Sequence, residues 1–271
     1  MEKIDVIDYE FVEKYGDPRI SSYLLMDTPI HTIALTTAYC AATFLGIFLM
    51  KNKQSCDLKV PFFLYNMAVV LLSVWMFIKL GIHGWFTKYS WNCEPLNLSN
   101  DPDTLEIVKV CWVFYVSRLI EFVDTIFLVL KKNSSTLNHF HILHRWVIPL
   151  TAWYFVKYCP GGYNTFPMMA DLFVRSLIYF YYGFAAIVPS IQKHSFMKTS
   201  ISLLQMVQFI SVIAYMSHLY LFATPDCRVS QFLLSLSFTQ SVFGLSVSLF
   251  VFFSSTRKNA TKGIEKYKKL K

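Results

Sequence analysis

Within the 271-residue sequence, several side chains capable of chemistry recur at helical spacing. Glu121 and Asp124 lie three residues apart, as do His141 and His144, and Gln205 and Gln208, so each pair shares a helix face. Tyr179, Tyr181 and Tyr182 follow the histidines, and Arg118, Arg145, Asp171 and Arg175 are interspersed. Two imidazoles at this spacing, opposite a carboxylate-bearing segment, suit metal binding, acid–base catalysis or nucleophilic capture of an acyl group. A membrane di-iron centre needs several histidine clusters. This chain has seven His, and His31, His83, His194 and His218 are scattered. Acyl chemistry is the preferred reading.

The elements that position these groups must lie in a membrane. Hydrophobic residues make up 55% of the chain and charged residues only 15%, with mean hydropathy +0.42. A soluble domain carries about 25% charged residues, so a soluble enzyme is excluded, as is disorder. Nine Gly and six Cys exclude collagen-like and disulfide-scaffold classes. Four windows free of Lys, Arg, Asp and Glu, Thr28–Met50, Val60–Ile78, Thr199–Pro225 and Val229–Thr256, have the length of membrane helices. Three more, Val110–Leu130, His139–Val156 and Phe166–Val188, are apolar but carry ionisable residues. The expectation is an all-α polytopic protein with seven transmembrane helices, because lipid leaves backbone groups no other satisfaction. Residues 1–27 read as a short solvated N-terminal segment, 28–256 as the membrane domain and 257–271 as a basic tail.

Lys51, Lys53, Lys59, Lys131, Lys132, Lys193 and Lys198 fall in the odd-numbered loops, and the tail is basic as well. Acidic residues crowd the N-terminal segment and the second loop. The cation bias places the odd loops and C-terminus in the cytosol and the N-terminus in the lumen. On that topology the polar pairs converge at one depth, forming a buried polar chamber open to the cytosol. The cytosolic face, which holds most of the +8 net charge, suits anionic lipid or a polyphosphorylated substrate. Cys93 and Cys227 share the other side and are disulfide candidates in an oxidising lumen. Asn97-Leu98-Ser99 is a glycosylation sequon there. Lys268-Lys269-Leu270-Lys271 has the pattern of a di-lysine retrieval signal of the endoplasmic reticulum.

One ordered series of motifs covers nearly the whole chain. It runs Asp17-Pro18-Arg19, Leu25-Met26, Tyr65-Asn66, Arg118-x-x-Glu121-x-x-Asp124-Thr125, Lys131-Lys132-Asn133, His141-x-x-His144, Tyr179-x-Tyr181-Tyr182 and Gln205-x-x-Gln208-Phe209. The series resembles the ELO family of fatty acid elongases, the membrane 3-ketoacyl-CoA synthases. The resemblance implies a seven-helix bundle in the endoplasmic reticulum that condenses malonyl-CoA with a long-chain acyl-CoA. It implies that His141 and His144 accept the acyl group and assist carbanion formation, beside Glu121 and Asp124. Asn66, Arg118, Arg145, Arg175, Tyr179, Tyr182, Gln205 and Gln208 are candidates for holding substrate, with Lys131, Lys132 and Lys198 on the CoA phosphates. No bound cofactor or metal is expected. The expected partners are acyl-CoA, malonyl-CoA, membrane lipid, the reductases and dehydratase of the elongation cycle, and other elongase subunits.

The sequence departs from the family pattern at four positions. The family box reads His-x-x-His-His, and its last place is Arg145 here. Arg175 stands where the family has His, with Asp171 in place of Asn, and Arg118 replaces Lys. Arginine can be neither base nor acyl carrier. Asp171 and Arg175, four residues apart, are expected to pair. Two readings follow: an active elongase in which His144, with His141, carries the acyl group, or a non-catalytic relative that binds acyl-CoA or assembles with active ones. A receptor is disfavoured by the clustering at the cytosolic end and by the di-lysine tail, and a transporter by the chamber's closure on the lumenal side.

Overall fold

A computed structural model describes residues 14–132, 139–188, 190, 195–222 and 229–269, the side chains of 139–140, 195–196, 198 and 255–269 excepted. Among the described residues every regular element is helical; besides short turns at Pro18–Ser21 and Gly162–Asn164, the helices are α1 Pro29–Met50, α2 Lys59–Leu80, α3 Pro102–Ile120, α4 Phe122–Leu130, α5 His139–Tyr158, α6 Thr165–Ile187, α7 Ser195–Phe222 and α8 Gln231–Lys269. Local sequence dictates their starts. Thr28 caps α1 ahead of Pro29, and Asp101 caps α3 ahead of Pro102 by accepting from the backbone N–H groups of Asp103 and Thr104. A π-helical turn, Gly81–Trp85, extends α2.

Four helices are long and apolar enough to cross a membrane: Pro29–Met50, Lys59–Trp85, Thr199–Phe222 and Gln231–Ser254. They match the four windows read as uninterrupted in the sequence. Their outward faces carry Phe48, Leu71 and Phe250, each more than 70% exposed, which only a lipid surround satisfies. The charged stretches form α3, α4, α5 and α6. α2 packs along α6, α5 between α1 and α3, and α7 against α8 and α6. Gly183 permits the α2–α6 approach, since a Cβ there would lie 2.7 Å from Met67 Cε.

One expectation needs correction, and another needs refinement. Val110–Leu130 is not one helix: the chain turns at Glu121, between α3 and α4. Asp124 N donates to the Glu121 carbonyl at 3.1 Å, a three-residue step tighter than an α-turn, and the Glu121 carboxylate is held there by three arginines. Nor are all of residues 14–27 solvated, although most of their side chains are exposed or half-buried. Asp17, Ile20 and Met26 are fully buried, and Asp17 N donates to the Lys157 carbonyl at the end of α5 (2.8 Å). Lys157 Nζ reaches back to Ser21 Oγ (2.9 Å) and the Met26 carbonyl (3.0 Å). Burying Ile20 and Met26 drives the docking, and these polar contacts satisfy the groups carried in with them. Gly16 makes the approach possible: its φ is +84°, and a Cβ would meet Lys157 Cε at 2.6 Å.

The second loop completes this end. Arg19 donates to the Ser99 carbonyl (2.7 Å), Tyr163 N to the Glu94 carbonyl (2.7 Å) and Trp85 Nε1 to Thr165 Oγ1 (2.9 Å). One end of the bundle is therefore plugged.

Candidate active site

The interior polar residues meet as a charge network. The Glu121 carboxylate, 4% exposed, receives Arg118 Nη1 at 3.1 Å, Arg175 Nη1 at 2.9 Å, and Arg145 Nη1. Asp171 accepts from Arg175 Nη2 at 2.8 Å and from Arg118 Nη2. Asp124 accepts from Arg145 Nη2 and the Tyr179 hydroxyl. Three guanidinium groups thus balance three carboxylates, which is the condition for keeping such charges out of water. Asp171 and Arg175 pair as their spacing predicts. The Arg118 and Arg175 guanidinium groups also lie over the Phe114 ring, with Cζ 4.3 and 5.2 Å from its centroid.

Beside the network lies a partly open cavity of about 330 Å³ lined by α3, α5, α6, α7 and α8. One part of its wall is polar, with Arg118, His144, Asp171 and Gln208. Further along α5 and α6 it is largely apolar, with Ala152, Phe155, Val156, Pro167 and Met168. His144 sits at the polar part and is exposed rather than packed away.

The expected site residues separate into groups. Glu121, Asp124, Arg118, Arg145, Arg175 and Tyr179 come together in the network. His144 and Gln208 reach the cavity. His141 turns toward α4, its Nε2 3.3 Å from Thr125 Oγ1, which in turn contacts the Tyr39 hydroxyl at 3.0 Å. The two histidines thus serve different neighbours. Asn66 is buried in the α2–α6 contact, donating to the Phe62 carbonyl (2.6 Å). Gln205 is half-buried outside the cavity lining, and Tyr182 points outward, 51% exposed. Lys131 Nζ lies 3.6 Å from the Phe62 ring centroid, and Lys132 Nζ donates to the Lys51 carbonyl (3.1 Å), so the first and third loops meet. Cys93 is disulfide-bonded, while Cys40, Cys56, Cys111 and Cys159 are free. Cys227, Lys193 and the Lys198 side chain lie outside the described residues.

Sequence reasoning missed Gln240, Ser237 and Ser241 of α8 and Asn164 before α6, all on the cavity wall. The available signal was Gln240, the one amide beyond the first residue of a span, Gln231–Ser254, whose other polar residues are hydroxyls. Ser237 lies three residues before it and four before Ser241, spacings that share a helix face.

A helical bundle with apolar outer faces, holding a neutral charge network against an internal cavity, defines the class: a multi-pass membrane protein with its polar machinery inside. The sequence profile of the GNS1/SUR4 family, ELO, matches residues 24–262. The chain belongs to that family. It is 38% identical over 222 residues to a very long chain fatty acid elongase of Aedes aegypti, covering 81% of this chain and 61% of that protein. It is 37% identical to very long chain fatty acid elongase 7 of Rattus norvegicus over 216 residues, covering 79% of this chain and 76% of that protein. With very long chain fatty acid elongase 1 of Homo sapiens it shares 31% over 271 residues, covering 96% and 97%.

Proposed function

We propose that this protein is a very-long-chain 3-ketoacyl-CoA synthase, condensing malonyl-CoA with a long-chain acyl-CoA. One observation carries the reading: a cavity inside the bundle whose polar part presents an uncommitted imidazole, His144, and whose remaining wall suits a hydrocarbon chain. A neutral His144 nitrogen attacks the acyl thioester carbonyl, and the CoA sulfur leaves with the bonding pair and takes up a proton. Malonyl-CoA then loses CO₂, and the electron pair of the broken C–C bond becomes the carbanion that attacks the acyl-imidazole. His144 is released and 3-ketoacyl-CoA is formed. The arginines already pair with carboxylates, so in this scheme Arg145 and Arg175 position Glu121 and Asp124 rather than carry acyl groups. His141 supports α4 through Thr125. No cofactor enters any step.

The topology we propose has seven crossings, with α3 and α4 forming one. The N-terminal segment and second loop face the lumen of the endoplasmic reticulum, and residues 257–271 face the cytosol. The cation bias supports this orientation. It puts the plug at the methyl end of the acyl chain and the basic loops, with Lys131, Lys132 and Lys198, near the CoA phosphates. The reductases and dehydratase of the cycle would take the product onward.

The test is incorporation of labelled malonyl-CoA by the purified protein across a panel of acyl-CoAs. We expect 3-ketoacyl-CoA, falling about a thousandfold in His144→Ala. The reading is lost if no chain length gives product.

A further inference from the structure

We infer that Gln240 of α8, facing the cavity with Gln208 of α7, is a substrate-positioning residue whose amide N–H holds a thioester carbonyl oxygen beside His144. The inference rests on the reading above. Both glutamines line the cavity, and neither side-chain amide makes a hydrogen bond among the described residues. Most other polar groups of the wall are committed. Arg118 and Asp171 belong to the charge network, Asn164 donates to the Cys159 carbonyl, Thr151 to the Ile148 carbonyl and Ser241 to the Ser237 carbonyl. The amides of Gln208 and Gln240 therefore stand, with His144, the Ser237 hydroxyl and the unpartnered Arg118 Nε, as the groups left among the described residues to meet an occupant.

The register of α7 and α8 sets the two glutamines within about two turns of one contact, both on the cavity wall. Gly244 packs on the Phe209 ring, where a Cβ would come within 2.5 Å of Cζ. Gln240 is one turn from Gly244 on the same face, and Gln208 adjoins Phe209; with α7 and α8 antiparallel, the glutamines sit about 7.5 Å apart along the axis, on either side of that contact. A primary amide in an apolar membrane span is costly when unpaired. An acyl chain offers no partner along its length, but its thioester carbonyl does. That group must approach His144, which lines the same cavity. The carbonyl belongs either to the acyl-CoA or to malonyl-CoA.

Binding to the purified full-length protein separates these cases without turnover. In the acyl arm the probes are S-(2-oxoheptadecyl)-CoA, a ketone that cannot transfer its acyl group, and S-heptadecyl-CoA, which lacks the carbonyl. In the malonyl arm they are malonyl-CoA and S-(2-carboxyethyl)-CoA. Gln240→Leu should weaken the carbonyl-bearing probe of one arm about five- to tenfold. It should leave the carbonyl-free probe of that arm within about twofold, which also reports an intact fold. The arm that responds names the source of the carbonyl. Equal weakening of both probes, or no selective loss in either arm, overturns the proposal. Failure of the unaltered protein to form 3-ketoacyl-CoA would overturn the elongase reading alone, because the carbonyl-selective loss is read from binding.

Discussion

The bundle buries charge in two places and satisfies it by different means. In the network of α3, α4, α5 and α6, side chain answers side chain: Glu121, Asp124 and Asp171 against Arg118, Arg145 and Arg175. At the plugged end the partners are largely main chain. Arg19 reaches the Ser99 carbonyl, Lys157 reaches the Met26 carbonyl, and Asp17 accepts from the Arg19 backbone N–H (2.9 Å) as well as its guanidinium (2.6 Å). Main-chain partners fix a fold once and expose no reactive group. Side-chain partners of balanced sign can border a cavity and keep ionised groups beside it, which is what acyl transfer needs. The first arrangement closes the molecule and the second equips it.

Removing one charge from the network should break this contrast most severely. Glu121→Gln leaves three guanidinium groups sharing one carboxylate fewer, and we expect a loss of about 3–5 kcal/mol of stability, read as a lower unfolding midpoint of the purified protein together with lost elongation. A destabilisation below about 1 kcal/mol would mean the network is not the charge-balanced unit described. Lys157→Met should cost less, about 1–3 kcal/mol, since two hydrogen bonds are lost but no opposite charge is stranded against like charge. Turnover per folded molecule should stay constant, and a change in it would show that the plug reaches the chemistry. The smallest effect should come from Asp101. Hydrogen bonds from Ser99 and Thr104 hold its carboxyl well below the usual carboxylate range. A carboxyl depressed in the folded state contributes stability above its unfolded pKa and loses it as pH falls through the folded value. Asp101→Asn should therefore flatten the acid limb of a stability-versus-pH curve and leave the alkaline limb alone.

How far the sequence led depended on which force was at work. The four uninterrupted spans were legible because lipid imposes a length and a composition, and α1, α2, α7 and α8 obey both. The Asp171–Arg175 pair was legible because it is local, one helical turn. The break at Glu121 was not, since it depends on arginines arriving from α5 and α6, 24 and 54 residues later in the chain. The plug was hidden for a similar reason: the acids of residues 1–17 suggest a solvated tail, yet Asp17, the one acid of that stretch among the described residues, lies fully buried beside Arg19 and the end of α5. His141 and His144 looked like one unit from spacing. Three residues leave them about 60° apart around α5, enough for one to meet Thr125 and the other the cavity.

The order of the charges along the chain has a consequence for biosynthesis. A polytopic protein enters the bilayer from its N-terminus onward, so each charged segment must be tolerated with only earlier segments for company. Arg118 brings Glu121 three residues behind it, and Arg175 follows its own Asp171. Arg145 has no acid of its own in α5, but Glu121 and Asp124 are already made when it emerges. No arginine of the network has to wait for a later helix to supply its counter-charge, and the insertion machinery meets the most polar spans as near-neutral cargo.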